Sequence, residues 1–545
     1  MIRQFGAAAQ GALEADLCIV GAGAAGLSLA TQFVGSRWRV LVLESGRREP
    51  DGETQALNAL ECVGLRHDGW REGRIRALGG TTRSWGGQLV PMRSSEWEAR
   101  SWVPGSGWPF PLEELQPYYR RIEQLLQIEG APYDESVGPR LGLSLPAFDR
   151  RQFRMRFSQW ASLGRRNFAV LWRRELERSA NISVVLDATA VAVCCDPSGS
   201  RCEHIRIRSR SGQEARVRAS LFVIACGGIE TPRLLLGSPS PAGRGVANRS
   251  GLVGRFFQDH LSFLAGELQP LSRRTVQDAF DPRYVGSTMF SLKIEPTDAA
   301  MREQAWLNCM AHVAFEIPDA LGWLELRKLL RSAQAGRLAL PSLDEGLAMM
   351  RGSLELSRLV ITRYLARRRR SPDRGRVLLR VDSEQVPNGA SRITLDDTVD
   401  ALGMRRARLD WRTCELERRT LLGFARSVAG ELERLGLARV RLAAEPDFAV
   451  RDVLGSVRDI FHHMGTARMS TAARDGVTNA ELRCHDVDNL FIAGPAVFPA
   501  GGIANPTFTA LALSLRLADL LKRELAAADS PANLDPTPRP LVMNS

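Results

Sequence analysis

The chain has 545 residues, of which 44% are hydrophobic and 25% are charged. That length predicts roughly two to four domains, each large enough to bury a core. The composition is ordinary for a globular protein, which excludes disordered, collagen-like and disulfide-rich classes. The nine cysteines are scattered without C-x-x-C spacing, and the seven histidines are dispersed. We therefore expect no disulfide framework, no metal or iron–sulfur site, and a reducing, cytoplasmic location.

No membrane-spanning segment is expected. Glu14 and Asp16 precede the first apolar run, where a signal peptide would have basic residues. Residues 490–515 lack charge for 26 positions, long enough to span a membrane, but three prolines and three glycines interrupt them. This stretch predicts a buried strand, a turn and the start of a helix.

The net charge of +12 is concentrated in a basic block at residues 321–376, which holds thirteen Arg or Lys and five acidic residues. Leu, Ile and Met recur there at helical spacing, which predicts basic amphipathic helices. We favour a solvated helical face, and the alternative is peripheral contact with an anionic membrane or a partner protein. No stacking platform or recognised module accompanies the charge, so nucleic acid is not an expected partner.

The first structural unit that the sequence predicts spans Asp16 to Glu44. An apolar run at residues 17–20 leads into a glycine-rich turn, residues 27–33 have the pattern of a helix, and residues 39–43 that of a strand. Such a strand, turn, helix and strand ending on an acid are typical of a βαβ unit that binds a dinucleotide. NAD and FAD are equally open at this point, and an ordinary strand-to-helix turn is the alternative.

Each residue of this G-x-G-x-x-G turn has a physical task. Gly21 allows the tight turn, Gly23 lets the backbone approach a pyrophosphate, and Gly26 lets helix and sheet pack closely. The N-terminus of the helix offers free N–H groups to the phosphates. Glu44, eighteen residues after Gly26, is placed to accept hydrogen bonds from a ribose diol.

Further patterns follow along the chain. Residues 78–88 form a loop of four glycines, small hydroxyl side chains and one tryptophan, which suits close approach to a flat or phosphorylated group but also a plain turn. Residues 182–225 alternate in short runs and predict a β-meander that ends in a buried strand. A second glycine turn at 226–228 then begins a helix. Residues 112–128 and 418–435 predict two more helices.

The remaining segments are less specific. Residues 54–72 predict a polar helical or loop excursion. Residues 263–450 lack glycine-rich phosphate turns and mix strand runs, such as 288–294 and 377–381, with the basic block, so they predict a second, substrate-facing domain. The last twenty residues are rich in Ala, Pro, Asp and Asn and predict a disordered tail.

Five motifs, taken together, resemble one known family. In chain order they are G-A-G-A-A-G at 21–26, G-G-T-T-R-S-W-G-G at 79–87, A-C-G-G-I-E-T-P-R-L-L-L at 225–236, V-G-R with D-H within 253–260, and H-H-M-G-T-A-R-M at 462–469 followed by N-P-T-F-T at 505–509. They resemble the glucose–methanol–choline (GMC) family of FAD-dependent oxidoreductases. Trp108-Pro109, Pro117-Tyr118-Tyr119 and the E-Q-V-P-N segment at 384–388 favour the bacterial sugar- and glycoside-oxidising branch, similar to pyranose oxidase.

The resemblance implies an α/β fold. A Rossmann-like FAD-binding domain, with a parallel sheet and a β-meander, is joined to an α+β substrate domain. The implied segments are 12–98 (FAD domain, first part), 99–164 (linking, substrate side), 165–262 (FAD domain, second part with the meander), 263–451 (substrate domain), 452–525 (FAD domain, third part with the catalytic motifs) and 526–545 (disordered tail).

The resemblance also implies which residues hold FAD. The Gly79 to Gly87 loop would run beside the pyrophosphate and isoalloxazine. Some relatives bind the flavin covalently through a histidine in that loop, whereas this loop has none, so we predict non-covalent FAD. The implied cofactor-binding residues are Gly21, Gly23, Ala24, Ala25, Gly26, Glu44, Gly79, Gly80, Thr81, Thr82, Ser84, Trp85, Gly86, Gly87, Val193, Gly227, Gly494, Asn505, Pro506 and Thr507.

The family's catalytic pair corresponds here to His462 and Asn505. A histidine suits removal of a hydroxyl proton near neutrality, and an amide can orient the same oxygen without competing for the proton. His463 is adjacent, but the spacing to Gly465 favours His462. His260 follows a family-like motif and is open between a functional and a structural role.

The implied function is FAD-dependent oxidation of a hydroxyl group by proton abstraction and hydride transfer to flavin N5. The expected substrate is a secondary alcohol of a sugar or glycoside. Oxidation of an aromatic or natural-product alcohol, or a non-redox FAD-containing lyase, are the alternatives. The electron acceptor would be oxygen, a quinone or a redox protein, and the sequence does not distinguish among them.

Overall fold

The computed structural model describes most of the chain. The described residues are 1–6, 12–316, 329, 332, 340–351, 361–362, 365–371, 373–443 and 453–528. Much of the basic block and the predicted tail from residue 529 onward lie outside these ranges. No helix within them combines the length and the apolar composition needed to cross a bilayer.

An eight-stranded sheet contains the predicted βαβ unit. In sheet order its strands are Ile2–Gln4, Ile182–Leu186, Val40–Glu44, Ala12–Val20, Glu214–Ile224, Cys202–Arg208 and Thr189–Cys195, with Leu490–Ile492 also beside Glu214–Ile224. Strand Ala12–Val20 pairs in parallel with Val40–Glu44 on one side and with Glu214–Ile224 on the other. At the end of this order, Cys202–Arg208 pairs antiparallel with both Glu214–Ile224 and Thr189–Cys195, which makes a meander. The predicted Rossmann-like sheet with a meander is confirmed.

Two details of this sheet differ from the sequence expectation. Strand Ile182–Leu186, predicted as the start of the meander, pairs in parallel with Val40–Glu44 instead. Its apolar residues are nearly all buried, as is usual for strands inside a parallel sheet. The end of the predicted meander and the buried strand after it form the single strand Glu214–Ile224, whose N-terminal half belongs to the meander and whose C-terminal half lies in the parallel core.

Helices cover this sheet and join its parts. Helix Ala24–Thr31 follows the first strand and packs against the long helix Pro506–Ala528, which also contacts helix Gln116–Leu126. Helix Gly227–Gly237 begins at the second glycine turn, as predicted. The stretch 490–515 forms a buried strand, a short 3₁₀ turn at Pro495–Val497 and the start of the last helix, as the prolines indicated.

A nine-stranded antiparallel sheet forms the second core. In sheet order its strands are Ala438–Leu442, Leu261–Pro270, Val377–Ser383, Cys309–Phe315, Thr288–Pro296, Phe153–Trp160 and Gln88–Leu89, with Arg283–Val285 and Arg458–Asp459 at its sides. Helix Glu415–Arg434 packs on one face and buries Leu421, Phe424 and Val428 there. This sheet and helix are the predicted α+β part of the fold.

A small three-stranded sheet links the two cores. It pairs Arg392–Val399 with Arg405–Trp411, and the latter in parallel with Leu60–Gly64. The predicted excursion at 54–72 therefore contains a strand, which its polar composition obscured. The short helices elsewhere are Gly52–Ala56, Gly69–Glu72, Ser94–Trp97, Leu163–Arg166, Phe168–Leu171, Arg173–Arg178, Arg273–Phe280, Asp298–Gln304, Leu343–Arg351 and Val453–Ser456, with 3₁₀ turns at Gly80–Arg83, Leu112–Leu115, Glu135–Val137 and Pro139–Leu141.

Candidate active site

A deep cleft opens at the carboxyl ends of the parallel strands, where ligands bind in open α/β sheets. It has a volume of about 260 Å³ and continues from the first glycine turn to the predicted catalytic histidine. The sequence-predicted residues that line it are Gly21, Gly23, Ala24, Ala25, Glu44, Gly80, Thr81, Gly227, His462, Gly494, Pro506 and Thr507.

The glycine turn leaves room for a ligand at one point and is tightly packed at the others. Gly21 has a φ of +107°, and a Cβ there would lie 2.6 Å from the carbonyl oxygen of Ala225. A Cβ on Gly26 would collide with the carbonyl oxygen of Gly21. At Gly23, by contrast, a Cβ would meet nothing within 4 Å, and this residue precedes the first turn of helix Ala24–Thr31. Free backbone N–H groups therefore face open space, which suits a pyrophosphate.

The Glu44 carboxylate lies at the end of the second strand and braces the turn. Its Oε2 accepts a hydrogen bond from Ala22 N (2.9 Å), and its Oε1 accepts one from Gly46 N (2.8 Å). Burial raises the pKa of Glu44, and the two backbone hydrogen bonds oppose that shift. The side chain also borders the cleft, so its remaining lone pairs can accept hydrogen bonds from a ligand.

A buried cluster of charged side chains, absent from the sequence predictions, forms part of the same cleft wall. Glu230 forms ion pairs with Arg74 (2.7 Å) and Arg76 (2.6 Å). Arg233 pairs with Glu230 (3.2 Å) and Asp400 (2.6 Å). Burial alone would raise the pKa of Glu230, but the three guanidinium groups hold it well below its usual range. Arg74, Arg76 and Arg233 also line the cleft, where a guanidinium group can donate hydrogen bonds to a phosphate-bearing ligand.

Other predicted cofactor-binding residues pack outside this cleft. Trp85 Nε1 donates to the carbonyl oxygen of Arg166 (2.7 Å), and Thr82 Oγ1 accepts from Phe168 N (3.1 Å). Val193 is fully buried in its strand. The members of the predicted set that do not line the cleft are Gly26, Gly79, Thr82, Ser84, Trp85, Gly86, Gly87, Val193 and Asn505.

The two predicted catalytic residues are neighbours, with His462 in the cleft wall and Asn505 behind it. His462 Nε2 lies 3.4 Å from Asn505 Nδ2, and on its other side His462 Nδ1 lies 2.8 Å from His260 Nδ1. The rings of His260 and His462 are perpendicular, with centroids 4.8 Å apart. Neutral imidazoles can share only one proton in this contact. When His462 Nδ1 donates that proton to His260, the unprotonated Nε2 atom accepts the hydrogen bond from Asn505 Nδ2.

Asp259 holds the segments of both histidines. Its Oδ1 accepts hydrogen bonds from the backbone N–H groups of His260 (2.7 Å) and His462 (2.9 Å). Its Oδ2 lies 3.1 Å from His67 Nε2. Burial alone would raise the pKa of Asp259, but the hydrogen bond from His67 and the neighbouring histidines lower it to about 2. The carboxylate is therefore charged near neutrality and fixes both peptide segments.

His67, Asp259 and His463 bring three metal-ligating atoms within 4.8 Å of one another. However, His67 Nδ1 accepts a hydrogen bond from Trp70 N (3.2 Å). A neutral imidazole that accepts at Nδ1 carries its proton at Nε2. His67 Nε2 therefore carries a hydrogen and donates it to Asp259. Because Nδ1 already accepts from Trp70 N, neither ring nitrogen of His67 has a lone pair free for a metal ion. This group stabilises the loop that contains Asp259.

Glu96 supports the segment that carries Asn505. Its Oε1 accepts hydrogen bonds from Ile503 N (2.7 Å) and Ala504 N (2.9 Å), directly before Asn505. Burial alone would raise the pKa of Glu96, but Arg93 and Arg156 keep it below its usual value. The sequence analysis missed Glu96 and His67 because they approach the pair only through long-range packing, and it included Asp259 only as part of the D-H motif.

Burial keeps the histidines of this site neutral. It lowers the pKa of His462 to about 3, and the neighbouring His260 adds to this shift while Asp259 opposes it. The pKa of His463 is lowered to about 3 in the same way, with His67 adding to the effect of burial. Burial also lowers the pKa of His260, against the charge of Asp259. His462 is therefore a proton acceptor, not an acid, at neutral pH.

Comparisons with known proteins identify relatives of this chain. A family model described as GMC oxidoreductase matches residues 387–514. The fructose dehydrogenase large subunit of Gluconobacter japonicus is 24% identical, over 94% of this chain and 98% of that protein. The 6'''-hydroxyparomomycin C oxidase of Streptomyces lividus is 25% identical, over 94% of this chain and 92% of that protein.

The fold also matches solved structures. A formate oxidase structure superimposes with a TM-score of 0.56 at 18% identity, covering 94% of this chain and 99% of that one. The pyridoxine 4-oxidase of Mesorbium loti gives a TM-score of 0.55 at 18% identity, covering 93% and 99%. The fold and the cleft define an oxidoreductase with a Rossmann-like FAD-binding domain. Residues 387–514 are a GMC oxidoreductase domain, as the motifs predicted, and the chain is similar along most of its length to oxidases and dehydrogenases that act on CH–OH groups.

Proposed function

We propose that this enzyme binds FAD non-covalently and oxidises a secondary hydroxyl group of a sugar or glycoside, with His462 as the base and Asn505 as the orienting group. The carrying observation is the contact between His462 Nε2 and Asn505 Nδ2 (3.4 Å) at one end of a cleft whose other end holds Glu44. The proposal includes the division into the FAD-binding segments and a substrate-binding segment at 263–451.

The cleft fits FAD at its dinucleotide end. The open space at Gly23, the buried Glu44 carboxylate and the arginines around Glu230 would hold the pyrophosphate and ribose. The loop from Gly79 to Gly87 contains no histidine, which supports non-covalent binding. Bound FAD supplies the hydride acceptor.

The residues of this chain supply the proton acceptor and the orientation. The substrate hydroxyl would lie between His462 Nε2 and Asn505, so that its proton passes to Nε2 as the carbinol hydride leaves. His260 would hold the Nδ1 proton of His462, which keeps the lone pair at Nε2. Asp259, already charged, favours the imidazolium that forms. Asn505 Nδ2, which lies 3.4 Å from His462 Nε2, would donate to the substrate oxygen while the hydroxyl proton points to Nε2.

The substrate class rests on the curated relatives. The names of several refer to fructose, to paromamine or to a C-glycoside. One relative is instead a 2-methyl-1,2-propanediol dehydrogenase, from Mycolicibacterium austroafricanum, with 24% identity over 94% of this chain and 96% of that protein. A non-sugar alcohol is thus the nearest alternative. The acceptor remains a choice among oxygen, a quinone and a redox protein.

Anaerobic reduction of the flavin tests this proposal. The holoenzyme is mixed without oxygen with sugars, methyl glycosides, polyols and aromatic alcohols, and the absorbance of oxidised flavin is followed. We expect bleaching by at least one sugar or glycoside, followed by reoxidation with oxygen or a dye. Bleaching only by non-sugar alcohols would exclude the substrate class. Turnover of a cyanohydrin without bleaching would favour a lyase and overturn the proposed oxidation.

For the basic block at residues 321–376, the ion pairs favour a solvated face over a binding surface. Arg368 already pairs with the buried Asp281 (2.6 Å) and also with Asp278, and Arg370 pairs with Asp373 (2.9 Å). Part of the arginine run is therefore used within the chain, which supports a solvated face. The cytoplasmic location stays a prediction from the nine cysteines, all of which are free thiols.

A further inference from the structure

A row of polar side chains crosses the nine-stranded sheet on the face opposite helix Glu415–Arg434. Residues in a strand point alternately to the two faces. Leu292 and Ile294 belong to the core beneath the helix, so Lys293 between them points to the other face. By the same alternation, His312 and Asp382 point away from the core, since Ala311 and Val381 are part of it.

The pairing register brings these side chains together beside the proposed catalytic pair. Ile294 lies opposite Ala311 in an antiparallel pair, which puts Lys293 next to His312. Asp382 lies opposite Ser262, two residues after His260. Asp382 is near enough to act on the pKa of both His260 and His462. We call Lys293, His312 and Asp382 the polar row.

Lys293 and Asp382 of the polar row are buried, His312 is partly exposed, and much of the hydrogen-bonding capacity of the row is unused. Lys293 is 9% exposed, and no ion pair or hydrogen bond links it to another described residue. His312 Nδ1 and Asp382 Oδ1 are also buried without hydrogen-bond partners in the ranges that the structure covers. His312 Nδ1 lies 3.5 Å from Asp382 Oδ2. Unpaired buried polar atoms destabilise a fold, so two of them next to a buried lysine and beside the proposed catalytic pair indicate a ligand.

The identity of the lysine strengthens this argument. Lysine accounts for only three of the 73 basic residues, and all the others are arginine. In such an arginine-biased chain, Lys293 is the one described lysine that is buried in the fold. A compact ammonium with three rotatable donors can contact the oxygen of a small ligand where a guanidinium would not fit.

We propose that the polar row binds the non-reacting hydroxyl groups of a neutral polyhydroxylated substrate while His462 acts on another hydroxyl of the same molecule. Lys293 would donate to one oxygen, and Asp382 would accept from a neighbouring hydroxyl. This inference rests on the proposed function and deepens it, because it assigns the residues that distinguish a sugar from a simple alcohol.

The charges of the row favour a neutral ligand. Burial lowers the pKa of His312 to about 4, with Lys293 adding to the shift and Asp382 opposing it. His312 is therefore uncharged near neutrality, and its neighbours include basic groups, Lys293 and Arg380, as well as the acidic group of Asp382. An ammonium group on the substrate would be repelled by Lys293, and a carboxylate group on the substrate would be repelled by Asp382. Hydroxyl groups can donate to one and accept from the other.

The test compares substrate selectivity in wild type, Lys293→Met and Asp382→Asn. The readout is the anaerobic rate of flavin reduction per unit concentration with D-glucose, D-fructose, methyl β-D-glucopyranoside and myo-inositol, each divided by the rate with cyclohexanol. We expect each variant to lower this ratio about tenfold or more for the best polyol, since a hydrogen bond to a charged group is lost. Lys522→Met, on the last helix, is the matched control and should leave the ratio unchanged.

Stability gives a second and independent readout. Because Lys293 is buried without a partner, Lys293→Met should raise the melting temperature of the ligand-free protein. The same polyols should raise the melting temperature of wild type and fail to raise that of Lys293→Met. A lower melting temperature together with unchanged selectivity would assign Lys293 a structural role and overturn the inference.

The two proposals fail in distinguishable ways. If no alcohol bleaches the flavin, the proposed oxidation is wrong, and the polyol-dependent melting shift still tests the polar row. Two results would show that the polar row does not bind substrate hydroxyl groups: faster bleaching of the wild-type flavin by cyclohexanol than by every polyol, or a wild-type ratio in both variants. Either result leaves the proposed oxidation in place.

Discussion

The two ends of the cleft use different physical devices. At the dinucleotide end, the turn from Gly21 to Gly26 forms its site with backbone N–H groups and the absence of side chains. At the other end, His260, His462 and Asn505 form theirs with side chains from three distant segments. The first site is contained in one supersecondary unit, whereas the second exists only when both large sheets are assembled.

This difference predicts how each end responds to mutation. The glycine turn has no spare volume at Gly26, so a single methyl group should damage the whole unit. The histidine end is held by several independent hydrogen bonds, among them those to Asp259 and Glu96. Changes there should alter the chemistry while the cofactor stays bound.

The largest effect is expected for Gly26→Ala. The added Cβ would collide with the carbonyl oxygen of Gly21, and overpacking of this kind costs about 1–3 kcal/mol. Because the displaced turn faces the dinucleotide, we expect the variant to be purified largely without flavin, as measured by the ratio of flavin to protein absorbance. Gly430→Ala is the control, since a Cβ there meets nothing within 4 Å. It should keep the flavin, and a flavin-replete Gly26→Ala would contradict the tight packing of this turn.

The next largest effect is expected for His462→Ala. Removal of the proposed base should lower the anaerobic rate of flavin reduction at least roughly a hundredfold, with FAD still bound. His204→Ala, in the meander strand Cys202–Arg208, is the control and should reduce its flavin at the wild-type rate. A near-wild-type rate for His462→Ala would transfer the role to His463 or to another group.

The same contrast explains what the sequence could predict. The βαβ unit was predicted because strand, turn and helix each have a local pattern, and the structure confirms them at Ala12–Val20, Ala24–Thr31 and Val40–Glu44. His462 and Asn505 were found only through motifs of a known family. No spacing rule connects them, since the contact depends on how residues 43 positions apart come together.

The residues that the sequence analysis missed share one physical cause. His67 reaches Asp259 across 192 residues, and Glu96 reaches Ile503 across 407. The polar row depends on the register of neighbouring strands, where a shift of one residue would turn each side chain to the opposite face. Register is set by the packing of whole sheets, so it cannot be read from single segments. The paired Arg74 and Arg76 before the glycine loop were the one local signal for the charged wall.

A smaller effect is expected at His260, which we assign a positioning role. In His260→Leu the Nδ1 proton of His462 loses its acceptor, so the reduction rate should fall roughly tenfold, the equivalent of one hydrogen bond. In His260→Asn the side-chain oxygen takes the position of Nδ1, and we expect most of the rate to return. Equal rates for Leu and Asn, with equal melting temperatures, would show that His260 only fills space.

The smallest effect is expected for His463, in the pH dependence of the free energy of unfolding. A buried histidine with a lowered pKa stays neutral in the folded state and binds a proton only when the chain unfolds. Its contribution to stability is therefore complete above the unfolded pKa of about 6.5 and is lost progressively as the pH falls toward the folded pKa. For His463, whose folded pKa is about 3, the free energy of unfolding should fall by about 0.7 kcal/mol between pH 7 and pH 6.

The variant His463→Gln isolates that contribution, because glutamine does not titrate. Urea unfolding of the wild type and the variant at pH 7 and pH 6 gives four free energies, and we expect the pH-dependent loss to be smaller by about 0.7 kcal/mol in the variant. The absolute stability of the variant does not matter to this difference. If both proteins lose the same free energy, His463 exchanges no proton on unfolding, and the neutral, buried state of the histidine end would have to be abandoned while the glycine end is unaffected.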